Sequence, residues 1–600
     1  MSRQQREEAR RQLSPRRKST QILSAVELAE EQLAHFGIAP ESQEHRLLKP
    51  LAARLYEANA DLKELWAASS ALLPKLSRSE KVAYFNAKRF LCFQMAKILD
   101  NLQNPLRASY QSLITEPGQR LPKGPWPVFD NVAAIFSSQP VICRTATYLY
   151  ACTEWVEDAF QGKELMHEIY SRLMNPTSIA LANQLVDVEA GALADQYFAL
   201  NFNSGMAALD AVFSHLFGRD DIVMCSRNIY GGTWQLLHDW YARPANLGIQ
   251  LEFFDGHDAP SFAKALKAVK KKHAAALKSG RRLYVFIESP CNPHGYVLDV
   301  PAISRLSHEA GAELICDATV GTPFLHPVLR CDDEASRPDF VVHSLTKDIC
   351  GTGNATAGTV IARNERMFLP KGAEIPGRDA MGRPVIRRWN ESLFWNVYYI
   401  KGAFLDADTA FEVLTGMRTL ELRLIRKAVN TSFLSRALAS HPLLKVHCPA
   451  LPEDPNHELA KRLLYLGMPS PLFTFDLGPA LAQGMPIDAF KRFFDLLEPA
   501  FGLQVSLGQV NTVVLCPALT SHSELSEEAL LRAGISRSTV RVAVGDDDPR
   551  LLLRHLADAA KLVLDPVSKG FSKGFPSEAA AKKLYAQIYL DIHRRHAGAM

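Results

Sequence analysis

The chain has 600 residues, 47% hydrophobic and 22% charged, with a formal net charge of +4, the profile of a soluble globular protein built from roughly two to four units. So small a charge gives no footprint for nucleic acid, no apolar run is long enough to span a bilayer, and the start lacks a secretory apolar core. Ten cysteines are scattered without a C-x-x-C pair, which points to buried thiols in the cytoplasm rather than to disulfides or a metal site.

Residues 1 to about 20 are charged and poor in aliphatics, which predicts a disordered tail; Glu7 and Glu8 count against an organelle transit peptide. From Glu41 to Leu102 the periodicity is helical. Leu51, Leu55, Leu62 and Leu65 share one face, as do Tyr84, Leu91, Met95, Ile98 and Leu102, and Pro74 divides the two segments. With no nucleophile or metal-ligand constellation here, a helical extension packed on the main body is expected, a partner-binding module being the alternative. The stretch from Glu116-Pro117-Gly118 to Pro127 reads as a linker. The expected division is 1–130 tail and extension, 131–408 large domain, 409–565 smaller α/β domain and 566–600 helical tail.

The chemistry starts near Tyr170-Ser171-Arg172. A tyrosine and an arginine two apart in an extended segment point the same way, as a phosphate clamp requires, and Asn175-Pro176 then opens a helix. Tyr197 to Asn203 is strand-like and feeds Ser204-Gly205-Met206, where free backbone N–H groups and a positive dipole end suit phosphate. Alone, this is also an ordinary cap by Ser204. After the strand Asp221 to Cys225, the two glycines of Tyr230-Gly231-Gly232-Thr233 let an aromatic ring lie flat over something close to the backbone. Three more strands end in Glu288-Ser289-Pro290-Cys291-Asn292-Pro293, in Asp317-Ala318-Thr319, and in Ser344-Leu345-Thr346-Lys347. A lysine at a strand end, with hydroxyls before it and Gly351, Gly353 and Gly358 after it, suits a phosphate-bearing aldehyde held as a Schiff base. Strands alternating with helices predict a mostly parallel sheet, whose ligands bind at the carboxyl ends where all these motifs fall.

The ordered series Y-S-R-x-x-N-P-T, S-G-M-A-A, Y-G-G-T, E-S-P-x-N-P, D-x-T and H-S-x-T-K resembles the Cys/Met-metabolism family of fold-type I pyridoxal-phosphate enzymes, which includes the cystathionine γ-synthases, γ- and β-lyases, methionine γ-lyase and the O-acylhomoserine sulfhydrylases. The likeness runs from about residue 130 to 565, through Gly416-Met417-Arg418-Thr419-Leu420, Ser506-Leu507-Gly508 and Arg541-Val542-Ala543-Val544-Gly545. It implies pyridoxal 5′-phosphate as cofactor, an α/β fold with a smaller C-terminal domain, and an amino acid as substrate. Lys347 would be the Schiff-base lysine and catalytic base, and Tyr230 would stack on the ring and act as acid or base. Asp317 would pair with the pyridinium nitrogen beside Thr319, and Asn292 with the phenolic oxygen. Ser204, Gly205, Met206, Ser344 and Thr346 would hold the phosphate, reached also by Tyr170 and Arg172 of a neighbouring subunit. That implies at least a homodimer, with a homotetramer expected. Arg541 would bind the substrate carboxylate, in a pocket with Ser506, Asn511 and Thr512. Taken singly, Asp317 could be a cap, Asn292 a turn residue, Tyr230 core and Arg541 a surface ion pair.

Departures from the family pattern fall on the substrate side. Ala318 replaces an asparagine, Asn354 a histidine, and Gln509-Val510-Asn511-Thr512 a segment with an acidic side chain. Asp348 replaces an aromatic and brings a negative charge beside Lys347, which would raise the amine's pKa. Residues Arg363 to Asn390 look inserted. The leading expectation is elimination or replacement at Cγ, including unusual γ-substituted (chlorinated or vinylic) substrates. The absence of cysteine at Tyr230-Gly231-Gly232-Thr233 counts against methionine γ-lyase. Cystathionine β-lysis is the alternative, followed by a non-catalytic scaffold.

Overall fold

The computed structural model describes residues 1–14, 24–112, 136–148, 150, 153–161, 169–378, 383–520 and 527–600. The expected linker from Glu116 to Pro127 lies outside them. The chain forms two compact units, Met1–Val141 with Tyr148–Ile169, and Ile142–Thr147 with Tyr170–Met600. No helix among the described residues is long and apolar enough to cross a membrane.

The first unit is helical, with α1 (Arg3–Arg11), α2 (Ala25–His35), α3 (Gln43–Leu72) and α4 (Arg78–Ser112); the last two are separated at Pro74, as the periodicity predicts. α1 stands in the first part of the start expected to be disordered, and residues 15–20 of that stretch lie outside the described residues. Ser2 and Gln5 close a capping box at its N-terminus, and its arginines pair with α3, Arg6 with Asp61 at 2.6 Å and Arg10 with Glu57 at 2.9 Å. Charge pattern rather than aliphatic content therefore holds this helix.

The second unit carries a seven-stranded sheet of β1 (Tyr197–Phe202), β2 (Ile222–Ser226), β3 (Gln250–Phe254), β4 (Leu283–Glu288), β5 (Glu313–Asp317), β6 (Phe340–Ser344) and β7 (Gly358–Arg363), in the order β1-β7-β6-β5-β4-β2-β3. Only β7 runs against its neighbours. β4 is buried at all six positions, as a strand covered on both faces must be. β3 and β7 were not foreseen: Gly358 reads as turn punctuation, yet it is the strand's first residue, packed so closely on Ser204 that a Cβ there would sit 2.2 Å from the Ser204 carbonyl oxygen. The segment Arg363 to Asn390 carries a hairpin of β8 (Glu374–Arg378) and β9 (Pro384–Arg388).

A second, five-stranded sheet follows, of β10 (Lys445–His447), β11 (Leu472–Asp476), β12 (Gly502–Leu503), β13 (Val513–Leu515) and β14 (Thr539–Ala543), ordered β10-β11-β14-β13-β12. The single long helix expected over Ala410 to Leu434 is two: Ala407–Met417 and Leu420–Ala439. The break follows Gly416, whose missing side chain admits the Cys350 carbonyl; a Cβ there would lie 2.0 Å from its oxygen. The final helix, Glu578–Ala599, buries Ala581, Ile588 and Ile592 in the same apolar core as Phe433 and Val542.

Candidate active site

β6 runs through four buried residues to Ser344 and delivers Lys347 at the sheet's carboxyl edge. Lys347 Nζ donates to Ser506 Oγ at 2.7 Å. Burial lowers the amine's pKa to about 8, Arg541 adds to the lowering, and Asp317 and Asp348 oppose it. The loop bearing Ser506 lies directly on the lysine's backbone. A Cβ at Gly508 (φ +83°) would come within 2.8 Å of Lys347 Cα, so only glycine fits. Ser506 itself sits at φ +85°, a conformation that costs a non-glycine residue about 1–3 kcal/mol and that the surrounding site has to hold in place.

Arg541, from β14, is the second group fixed on that loop. Its Nη2 donates to the Ser506 carbonyl at 2.5 Å and its Nη1 to Asn292 Oδ1 at 3.1 Å. Arg541 is 2% exposed, and its buried Nε has no partner among the described residues. Burial lowers its pKa to about 10, against the pull of Tyr230 and Glu288. A buried cation with a spare donor and no carboxylate among its bonds is built for an anion from outside.

Beneath them, Asp317 Oδ1 accepts from Thr319 N at 3.0 Å and Thr319 Oγ1 at 2.6 Å, and Thr319 Oγ1 accepts the Ser344 N–H at 2.8 Å. The β5 and β6 ends are thereby tied together. Glu288 at the end of β4, named within its motif but given no role from sequence, is buried and accepts two backbone N–H bonds, from Tyr230 at 2.6 Å and from Asn292 at 2.8 Å. Burial and the Asp317 charge push its pKa well above the carboxylate range. Burial also raises that of Asp317, with Thr319, His343 and Lys347 opposing the rise. The Tyr230 ring folds over the turn after it: a Cβ at Gly232 would lie 2.6 Å from Tyr230 Cε1, which accounts for the glycine there.

The helix Gly205–Leu216 is capped by Ser204, whose Oγ accepts from Ala207 N at 3.1 Å. The start of the helix lies beside Ser344, since a Cβ at Gly205 would be 2.9 Å from Ser344 Oγ. Thr346 does not join them; its hydroxyl is exchanged with the Ala357 backbone, at 2.9 Å from N and 3.2 Å to O. Tyr170 makes an isolated antiparallel bridge with Thr147, and Arg172 lies in the turn that follows rather than in a strand. Arg172 stands 5.1 Å over the Tyr170 ring and donates to the Tyr399 carbonyl at 2.7 Å. Asn511 is exposed, and Thr512 Oγ1 is buried on the Gly545 N–H at 3.0 Å. Neither bonds to Lys347 or Arg541.

Residues 130–561 match the family model for Cys/Met metabolism PLP-dependent enzymes. The chain belongs to that family. It is 28% identical to an L-methionine γ-lyase of Pseudomonas putida over 70% of this chain and 92% of the relative. To an O-succinylhomoserine sulfhydrylase of Pseudomonas aeruginosa it is 30% identical, over 74% and 92%. A solved cystathionine γ-synthase of Xanthomonas oryzae pv. oryzae superposes with a TM-score of 0.56 at 25% identity, over 71% of this chain and 94% of that one. Pyridoxal phosphate is thus the cofactor of this fold-type I enzyme.

Asp348 raises the pKa of the enzyme's Lys347, as its position in sequence suggests, but burial and Arg541 outweigh it. Its carboxylate is paired with Lys427 Nζ at 2.8 Å, both side chains fully buried, and Lys427 also donates to the Gln509 carbonyl at 2.7 Å. The anion is answered by its own cation, and the net shift of Lys347 is downward rather than up. Lys427, carried on the helix Leu420–Ala439, thereby links the lysine turn to the Ser506–Gln509 loop. Lys427→Met strands Asp348 in the interior and is expected to cost about 3–5 kcal/mol of unfolding free energy, read from the urea midpoint. Asp348→Leu combined with Lys427→Met should recover most of it; a double variant no more stable than the single one would contradict the pairing.

Proposed function

We propose that Lys347 carries the pyridoxal phosphate and that the enzyme catalyses elimination or replacement at Cγ of an L-amino acid with a γ leaving group. The observation that carries this reading is the convergence of Lys347 and Arg541 on one strained residue: Lys347 Nζ on Ser506 Oγ and Arg541 Nη2 on Ser506 O. An amine of depressed pKa and an unneutralised guanidinium, fixed side by side, are what an α-amino acid needs for proton abstraction and carboxylate binding. The γ position is favoured by the relatives, whose names are those of γ-lyases, γ-synthases and homoserine-ester sulfhydrylases.

The residues present fit the cofactor. Asp317 has both Thr319 bonds on Oδ1, leaving Oδ2 for a ring N–H, and Asn292, its Oδ1 taken by Arg541, keeps its amide donors for an oxygen. Gly205, Met206 and Ser344 would cradle the phosphate; Thr346, bonded to Ala357, would shape the turn. Tyr170 and Arg172 would serve a neighbouring subunit of a homo-oligomer. When bound, the cofactor supplies an electron sink for charge developing at Cα and beyond. Lys347 takes the Cα proton, Tyr230 exchanges protons on the open side of the site, and Arg541 holds the substrate carboxylate. The segment Gln509 to Thr512 would border the distal end of the substrate and influence which leaving group is accepted.

Capture of the cofactor needs the unprotonated amine. Because the Lys347 pKa is lowered to about 8, the rate at which apoprotein takes up pyridoxal phosphate should rise with pH through about 8 and then level. In Arg541→Met the midpoint should move up, since a positive neighbour that disfavours the ammonium is gone; stopped-flow absorbance reads both.

The decisive test incubates cofactor-loaded protein with O-acetyl- or O-succinyl-L-homoserine, with and without L-cysteine, and identifies products by mass spectrometry. A thioether formed only with cysteine marks γ-replacement, and 2-oxobutanoate with ammonia marks γ-elimination. No product from these esters, from L-cystathionine or from a chlorinated or vinylic homologue would overturn the proposal.

A further inference from the structure

At the sheet edge opposite Lys347, where β4 and β5 begin, a cavity of about 810 Å³ is closed on one side by β9. Six basic side chains line it, Lys270, Arg281, Arg282, Arg366, Arg383 and Arg387, against two carboxylates, Glu313 and Glu391. Only one of these carboxylates is spent inside the cluster. Glu313 is taken by Arg366 at 2.8 Å, and Glu391 pairs with Arg388, which does not line the cavity, at 3.7 Å. Among the described residues Arg281 pairs only with Asp220, at 3.7 Å on the exposed surface, and Lys270 donates to the Ala310 carbonyl at 3.4 Å. Arg387 donates to the Arg378 carbonyl at 2.6 Å and forms no ion pair among the described residues.

These cations also face one another. Burial and the charge of Arg366 lower the Arg387 pKa, and burial together with both guanidiniums holds His215, at the end of the helix Gly205–Leu216, neutral with a pKa of about 3. Like charges gathered in a concave, half-desolvated wall repel, and their field concentrates anions. Leu277, Leu283, Val385 and Ile386 supply an apolar side to the same cavity. The volume is that of a site for a cofactor-sized molecule.

We propose that this cavity binds a small molecule bearing at least two linked phosphate groups, either a nucleoside di- or triphosphate or inorganic pyrophosphate. One phosphate cannot match an excess of four positive charges; two or three linked ones do, and the guanidiniums of Arg282 and Arg387 offer paired donors to them. β9 belongs to the segment that looks inserted relative to the family, so the site is this chain's own, separate from the catalytic end of the sheet.

Isothermal titration calorimetry of the cofactor-loaded enzyme at physiological ionic strength, with ADP, ATP, pyrophosphate and AMP, tests it. Saturable binding of ADP, ATP or pyrophosphate, at least tenfold tighter than AMP, is expected. The ADP and pyrophosphate arms separate the two sources: preference for ADP points to the nucleotide, equal affinity to the phosphates alone. Arg387→Ser and Arg282→Ser should each weaken binding at least tenfold, and Arg387→Lys, which keeps the charge, should weaken it less. Turnover of the best amino-acid substrate reports that each variant is folded. Absence of saturable binding at millimolar ligand, equal affinity for AMP, affinities unchanged in folded variants, or binding of RNA alone would overturn it.

Discussion

Lys347→Ala is expected to lose turnover by at least about 10⁴-fold, because one substitution removes both the covalent anchor and the base that moves the Cα proton. Borohydride reduction followed by intact-protein mass measurement should show the cofactor's added mass on the wild-type chain and not on the variant. The expectation follows from the setting of the amine. It is buried, held near a pKa of 8 and aimed by Ser506, so no other lysine among the described residues is placed to substitute for it. Lys427, though also buried, is fully engaged by Asp348 and Gln509. Lys347→Arg should fail equally, as it keeps the charge and loses the nucleophile. Retained turnover in either variant would remove Lys347 from the mechanism.

Arg541→Met should lower kcat/KM by roughly 30- to 5,000-fold, the equivalent of about 2–5 kcal/mol for truncating one partner of a buried, hydrogen-bonded charge contact. Most of the loss should fall on KM, because the guanidinium meets the carboxylate before and during the reaction alike. Arg541→Lys should not rescue it: a single ammonium cannot hold Asn292, the Ser506 carbonyl and a two-oxygen anion together. Initial-rate kinetics on a homoserine ester measure this. A variant with unchanged KM would place the substrate carboxylate elsewhere.

Much of this site is legible in sequence because each piece is local. The motifs at Ser204, Tyr230, Asn292, Asp317 and Lys347 all follow apolar runs that fold as strands, and a parallel sheet gathers their ends whatever lies between. The remainder depends on contacts that no window of sequence contains. Ser506 serves Lys347 and Arg541 at once through a positive φ that nothing in Ser-Leu-Gly announces. Glu288 reads as one letter of a motif, but its burial and its bonds to two backbone N–H groups make it the support of Tyr230 and Asn292. Asp348 looks like the deciding charge on Lys347, yet burial and Arg541 outweigh it and its ion-pair partner is Lys427, far along the chain on another helix. Thr346, Asn511 and Thr512 have the right residue types near the right motifs, and the backbone turns them to other partners or to solvent. At the N-terminus, a composition that argues for disorder is overcome by pairing between α1 and α3, which only the folded arrangement brings together.

The central claim is chemistry at Cγ, and the acid released from L-cystathionine tests it most directly. Cleavage at Cγ gives cysteine, ammonia and 2-oxobutanoate; cleavage at Cβ gives homocysteine, ammonia and pyruvate. With cofactor-loaded enzyme, 2-oxobutanoate from cystathionine, and from O-succinyl-L-homoserine in the absence of thiol, is the predicted product, lost in Lys347→Ala. Pyruvate as the main product would contradict it.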